Sequence, residues 1–409
     1  MLQFKEPRPN AIVIALCKFI LPIWLRFREH LTISIWGKKE DISTFSKNRR
    51  ALVLLNHPDR QDPFVIFQLA LKMHENFYCI AARECFDWDN GWRGWLFQSL
   101  GCYSVMRGQA DFHSIATSKK ILSEGRQKLL VFPEAEITAD EKRLHSLHNA
   151  IFHIALSVQK ELSESDTGAQ DHPVLIIPAA IKFSLDCDLE SALGPTLEKM
   201  EKRLAIQAQA HKDALSRVKA VVDSYLRLLF DTYGIEKAET TLDKMPALAA
   251  VEILNKIAAR EGVATHDSLS TSDRLYNMRN ELSESGKLNS VAITPQTFYC
   301  AGIPKPCISS DFERIERLLI LQRMLEHSSS AVQCCRILDF IECELFDKIS
   351  PKGMQSCKLL LGTAIELSEF VEQYDESKED GVNRLSERFM QQMQSMLANK
   401  EYPDAVQVQ

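Results

Sequence analysis

The sequence predicts an α/β domain followed by a mostly α-helical region. Three observations carry that prediction. From residue 50 to about 183, short apolar runs alternate with stretches of helical periodicity, as strands and helices do when they follow one another. After about residue 190 strand-like runs nearly vanish, and Glu, Lys, Ala and Leu dominate. Before residue 30 stands a separate apolar stretch, AIVIALCKFILPIWL, closed by Arg26-Phe27-Arg28. The 409-residue length accommodates two to three domains. The expected division is a membrane-associating segment over 1–40, an α/β domain over 41–205 and a helical domain without an assigned role over 206–409.

Each element has its own signal. Strands are expected at 51–55, 78–82, 103–106, 129–132 and 174–181, all apolar runs rich in Val, Ile, Leu and Tyr. Helices are expected at 63–73, 92–100, 112–124 and about 146–162. Further on, 193–231 reads as one long helical stretch, and Ser310-Asp311-Phe312-Glu313 has the form of a capping box. Ile315, Leu318, Leu319 and Leu325 would share one face of the helix it opens. Helical periodicity also marks 332–347, 359–374 and 382–399, the last with a stripe of Leu385, Phe389, Met393 and Met396 suited to a core. Polar stretches at 163–169, 262–273 and 281–290 read as loops.

The apolar N-terminal stretch is too short for a membrane span, which needs about 20 apolar residues, and Lys18 and Pro22 interrupt it. On a helix Lys18, Pro22 and Arg26 fall on one face, and Ile12, Leu16, Phe19, Ile20, Ile23 and Phe27 cover the other. That pattern fits a helix lying in a membrane interface, with Trp24 at headgroup level. A helix packed against the domain fits it as well. The expected location is the cytoplasmic side of a membrane, peripheral or monotopic.

Bulk composition excludes some classes. The net charge of −6 lacks the basic bias of a nucleic-acid footprint. The 11 cysteines are scattered, with neither a CxxC pair nor a zinc-ligand spacing, which suits free thiols in a reducing compartment. No metal or cofactor is called for. No Gly-x-Ser-x-Gly elbow of an α/β hydrolase is present.

The segment richest in chemistry is Asn56-His57-Pro58-Asp59-Arg60-Gln61-Asp62-Pro63. It follows a strand signal and precedes a helix signal. Two readings fit it. His57 and Asp62 form a general base oriented by a carboxylate, or Asp62-Pro63 merely starts a helix. Three later segments bear on the choice. Gly101 to Gly108 ends a strand with Arg107, Val131-Phe132-Pro133-Glu134-Ala135-Glu136 ends another with two acids, and Ile176-Ile177-Pro178 breaks an apolar run with a proline.

In this order the segments resemble the glycerolipid acyltransferase superfamily, the lysophosphatidic-acid and glycerol-3-phosphate acyltransferases. That family carries His-x4-Asp, then a Gly–Arg segment, then Phe-Pro-Glu-Gly-Thr-Arg, then an apolar block with proline. The resemblance covers roughly 35–190. It implies a mixed sheet flanked by helices. It implies acyl transfer from acyl-CoA or acyl-carrier protein to a hydroxyl of a lysophospholipid or related glycerolipid, without a covalent enzyme intermediate. His57 would be the base and Asp62 its orienting partner. Arg107 would bind an acceptor phosphate, Glu134 would shape the site or bind a hydroxyl, and Pro178 would shape the wall near the donor. The chain departs from the family in the third block, where Glu134-Ala135-Glu136-Ile137 replaces Glu-Gly-Thr-Arg. Alanine makes a positive φ costly. The lost arginine and added Glu136 disfavour a doubly charged phosphate, with His113 and Lys119 as candidates to supply charge. The aromatic group Phe86, Trp88, Trp92, Trp95 and Phe97, with Arg83 and Arg93, fits either an acyl-chain or membrane-facing surface or a packed core. The altered block also admits a lipid-binding or scaffold protein built on a degenerate domain. The C-terminal helices are candidates to dock a protein partner, dimerise or cap the site.

Overall fold

The computed structural model describes residues 3–164, 173–207, 212–236, 240–265, 268–287, 308–326, 330–346, 348–399 and 404–408. The end of the expected 163–169 loop, and parts of those at 262–273 and 281–290, lie outside the described residues.

The strands are β1 (Leu31–Gly37), β2 (Ala51–Leu55), β3 (Phe77–Ala82), β4 (Cys102–Val105), β5 (Lys128–Val131), β6 (Leu175–Leu185), β7 (Gln355–Leu361), β8 (Ile365–Glu366) and β9 (Val406–Gln407). The helices are α1 (Ala11–Trp24), α2 (Lys39–Lys47), α3 (Asp62–Lys72), α4 (Trp92–Ser99), α5 (Phe112–Glu124), α6 (Ala150–Ser163) and α7 (Leu189–Arg203). They continue with α8 (Ala214–Tyr233), α9 (Met245–Glu261), α10 (Thr271–Glu284), α11 (Ile308–Glu326), α12 (Ala331–Phe346), α13 (Val371–Glu376) and α14 (Lys378–Ala398).

All the strands join one sheet of order β4-β3-β5-β2-β6-β7-β1-β9, with β8 beside β6. The β4-β3-β5-β2-β6 block is parallel, as strands joined by crossover helices must be. β7 pairs antiparallel with β6 and parallel with β1, which makes the sheet mixed. Both faces are covered. Leu52, Leu54, Leu129 and Ile176 pack under α5, α6 and α14. Ala51, Val53, Leu55, Leu130 and Ile177 pack on the other side with Val65 and Leu69 of α3. A strand buried on both faces reads as an unbroken apolar run, which is why 51–55 is Ala-Leu-Val-Leu-Leu.

Several elements differ from the sequence expectation, among them α10, which is helical over 271–273 and 281–284 where loops were expected. The stretch 359–374 is not a helix: Gln355–Leu361 is a central strand between β6 and β1, and only Val371–Glu376 is α-helical. A short apolar run such as Leu359-Leu360-Leu361 has no periodicity to separate helix from buried strand. The stretch 193–231 is two helices, α7 and α8, the first ending at Arg203 and the second capped by Asp213, whose side chain accepts from Ser216 N. The capping-box expectation also shifts. α11 already runs from Ile308, while Asp311 accepts from Tyr233 Oη (2.5 Å) and Glu313 pairs with Arg317 (2.8 Å).

The helical region is an excursion from the sheet. The chain leaves β6 at Leu185 and returns at Gln355, and these two residues are register partners. Asp186 N donates to Met354 O (2.9 Å) to close the ladder. Helices α7–α12 pack around their own apolar core of Val221, Leu226, Leu254, Leu275, Leu318 and Leu338. The helical block therefore spans 189–346 rather than 206–409, and the sheet takes strands from both sides of 41–205.

Helix α1 turns its apolar stripe outward. Ile12, Phe19 and Phe27 are 79%, 73% and 74% exposed, and Leu16, Ile20 and Ile23 are also exposed. Lys18 faces the body, where Nζ donates to Glu75 O (2.8 Å) and Asn76 Oδ1 (2.9 Å). The alternative of an apolar face packed on the domain is not what forms. Among the described residues no helix is long and apolar enough to cross a membrane.

Candidate active site

The parallel strands end along one edge of the sheet, and the sequence places its polar residues there. Asn56 and His57 follow β2, Glu84 follows β3, Arg107 follows β4, and Glu134 and Glu136 follow β5. This carboxyl edge is where open α/β sheets bind ligands, because the loops and helix N-termini gather there.

Asn56 fixes the start of the turn. Its side-chain amide donates to Ile181 O (3.0 Å) and accepts from Ile181 N (2.7 Å), extending the β2–β6 ladder by one side-chain rung. His57 Nδ1 then lies 2.7 Å from Asp62 Oδ2. Asp62 is fully buried as the first residue of α3, with Gln61 rather than Asp62 at the N-cap, so one side chain both opens the helix and contacts the imidazole. The same Oδ2 accepts from Asp59 N (3.0 Å). Burial pushes the Asp62 carboxyl up to about 6, against the lowering effect of the His57 hydrogen bond. The imidazole stacks on Phe132 (centroids 4.1 Å apart, 16° between planes). With Nδ1 committed to Asp62, Nε2 is the ring nitrogen left for other chemistry.

The β5 turn clamps the backbone of that histidine. Glu134 Oε2 accepts from His57 N (2.7 Å), and Oε1 accepts from His145 N (2.8 Å). Burial raises the Glu134 carboxyl, while these two backbone donors lower it. Thr138 N donates to His57 O (2.8 Å). Glu134 thus ties three segments through backbone groups. Ala135 sits at φ +57°, the left-handed conformation that the sequence marked as costly for alanine.

Arg107 lies in an ion-pair cluster. Nη2 donates to Glu84 Oε1 and to Glu316 Oε1 (2.6 Å), Nη1 donates to Tyr276 Oη (2.6 Å), and the guanidinium lies over the Tyr276 ring (4.1 Å). Arg279 pairs with the same two carboxylates (2.9 and 3.0 Å). Glu136 accepts from Tyr276 Oη (3.0 Å) and pairs with Arg323, which also donates to Ile137 O (2.9 Å). Tyr276, Arg279, Glu316 and Arg323 all come from α10 and α11. Gly108 permits this docking: at φ +80° a Cβ there would stand 2.8 Å from Tyr276 Cβ.

A second clamp comes from α12. Buried Arg336 donates through Nε to Asp59 Oδ2 (2.5 Å) and through Nη1 to Glu141 Oε2 (2.6 Å). Asp59 lies between His57 and Asp62, so the helical block holds the turn that carries the dyad.

The remaining sequence candidates fall elsewhere. Pro178 is buried in β6 opposite Leu54, short of the edge that carries His57. His113 stacks on Phe4 (5.5 Å) and Lys119 pairs with Glu161 (3.0 Å), so their contacts lie away from the Arg107 cluster. The aromatic group divides: Phe86 is buried against Phe97, whereas Trp92 and Trp95 are exposed. The Leu385, Phe389, Met393 and Met396 stripe packs on the sheet as core. Sequence reading passed over Glu84, Glu316, Tyr276, Arg279, Arg323 and Arg336. Glu84 alone had a usable signal, an acid just past a strand, as at Glu134. Among the described residues no group of three or more His, Cys, Asp or Glu is placed to hold a metal ion.

The described sheet is an α/β architecture with a His–Asp pair at the carboxyl edge of its parallel strands. Residues 38–182 match the family model described as Acyltransferase, that of the glycerolipid acyltransferase superfamily. No curated protein matches the chain. Arg279, Glu316, Arg323 and Arg336 lie outside the matched segment.

Proposed function

We propose that the protein is a peripheral membrane O-acyltransferase that moves a fatty acyl group from acyl-CoA or acyl-carrier protein to a hydroxyl of a glycerolipid. The observation that carries this is the His57–Asp62 pair, 2.7 Å apart, within an acyltransferase domain. In the proposed step Nε2 of His57 takes the proton of the acceptor hydroxyl as its oxygen attacks the thioester carbonyl. The tetrahedral adduct collapses, the C–S bond breaks, and the thiolate takes the proton back from Nε2. The ester and the free thiol leave, and the enzyme is unchanged. Asp62 keeps Nδ1 protonated and stabilises the imidazolium. A positioned base of this kind contributes about 10²–10⁴-fold. Glu134 acts through the His57 backbone, so its role is positioning.

The exposed stripe of α1, with Trp92 and Trp95, supports docking on the cytoplasmic face of a membrane, where a lipid acceptor is found. The test is pure protein with labelled acyl-CoA or acyl-carrier protein and a lipid extract, followby mass spectrometry. A new acyl ester that disappears in His57→Ala supports the reading, and unchanged turnover in that variant ends it. A second reading, a lipid-binding or scaffold protein on a degenerate domain, draws on the strained Ala135 and on the pairing of Arg107. It predicts vesicle binding with no donor consumed.

A further inference from the structure

The cluster around Arg107 adjoins the dyad. Glu134 holds His57 N, and two residues on Glu136 meets Tyr276, which meets Arg107. The charges in this cluster balance. Arg107, Arg279 and Arg323 face Glu84, Glu316 and Glu136, three against three. Arg323 donates to the backbone oxygen of Ile137, the position where the family pattern has arginine, but its charge is spent on Glu136. On Arg107 both terminal nitrogens already donate within the cluster, and the buried Nε has no partner among the described residues. Burial works to raise the Glu84 carboxyl, yet Arg107 and Arg279 hold it at about 2, so it stays ionised. A phosphate monoester brings a charge of roughly −1.5 to −2 and needs unspent cationic donors. Here it meets two carboxylates already in place, and like charges brought together cost affinity.

We propose that the helical block sets acceptor specificity: Glu316, with Glu84, neutralises Arg107, and the acceptor carries no phosphate monoester beside its reactive hydroxyl. This rests on the acyltransferase reading and names its acceptor class. The test compares kcat/KM for monooleoylglycerol, lysophosphatidylcholine and lysophosphatidic acid in the native chain and in Glu316→Gln. Glutamine keeps the size and the acceptor oxygen but removes one negative charge. Native protein is expected to use lysophosphatidic acid least, and Glu316→Gln to raise its relative kcat/KM about tenfold or more. Glu84→Gln is the second variant should Glu316→Gln fold poorly by circular dichroism. Calorimetry with glycerol phosphate gives a readout independent of turnover: no binding to native protein, and binding to the variant. Native preference for lysophosphatidic acid, or variants that change neither the ratio nor glycerol phosphate binding, would overturn the proposal. Absence of transfer to all three acceptors would instead remove the acyltransferase reading, while calorimetry still decides whether Glu316 excludes phosphate.

Discussion

In the proposed reaction His57 takes the proton, and Asp62, buried beside it, carries the cost of orienting it. A fully buried carboxylate is held ionised at neutral pH by one histidine and one backbone donor. Its carboxyl is raised from the usual 3.8 to about 6 by burial. The sign follows: an acid with a raised folded pKa favours the folded state fully below the unfolded pKa, and that contribution is lost as pH rises through about 6. Asp62→Asn is therefore expected to be more stable than the native protein at pH 8, by about 1–3 kcal/mol, with the gain vanishing near pH 4. Denaturant unfolding at both pH values measures it. Activity moves the other way. Asparagine cannot enforce the imidazole tautomer, and a loss of about 10²–10⁴-fold in kcat is expected. The native pH–rate profile is expected to fall on the acid side near pH 6, as the Asp62 carboxyl takes up its proton. Ala135, at φ +57°, is the other residue-scale strain. Ala135→Gly is expected to stabilise by about 1 kcal/mol, read as a higher midpoint of denaturation.

At the scale of elements, the turn between β2 and α3 is held from several sides. Asn56 ties it to β6, Glu134 and Thr138 tie it to the β5 loop, and Arg336 ties it to α12. Removing Arg336 leaves Asp59 and Glu141 buried without their cation. Arg336→Met is expected to cost about 3–5 kcal/mol in unfolding free energy. Asp59→Asn combined with Arg336→Met should recover part of that loss, and a double-mutant cycle tests the coupling. Much of these elements was legible in the chain. The 51–55 strand and the 112–124 helix match the structure residue for residue. The strand Leu31–Gly37 was passed over although Leu31, Ile33 and Ile35 alternate with Thr32, Ser34 and Trp36, because the apolar stretch before it drew the whole segment into a membrane reading.

For the whole molecule, the sheet is closed only by the far end of the chain. β7 covers one side of β6 and also pairs with β1, while α14 seals one face through Leu385, Phe389 and Met393. Truncation after residue 205 removes both. It is expected to give insoluble protein, with the apolar β6 edge bare, rather than an isolated catalytic domain. Expression and sedimentation of the truncated chain check this. Binding of the intact protein to anionic vesicles should fall when exposed Phe19 of α1 and exposed Phe27 in the turn after it are changed to Asp, with unfolding unaffected because neither is buried.

The chain alone marked the parallel half of the sheet, the His57–Asp62 pair at its edge and the apolar stripe of α1. Those features follow from local rules: apolar runs, a turn between strand and helix, and a period of 3.6. Only the tertiary structure decided that β1 and β7 complete the sheet, that α10–α12 enclose the site, and that Arg107 is already neutralised. Glu316 stands far from Arg107 in the chain, on a helix whose own pattern records nothing but its buried face. A pairing between charges so distant leaves no periodic trace in either segment, and it exists only once the excursion from β6 has folded back onto the sheet.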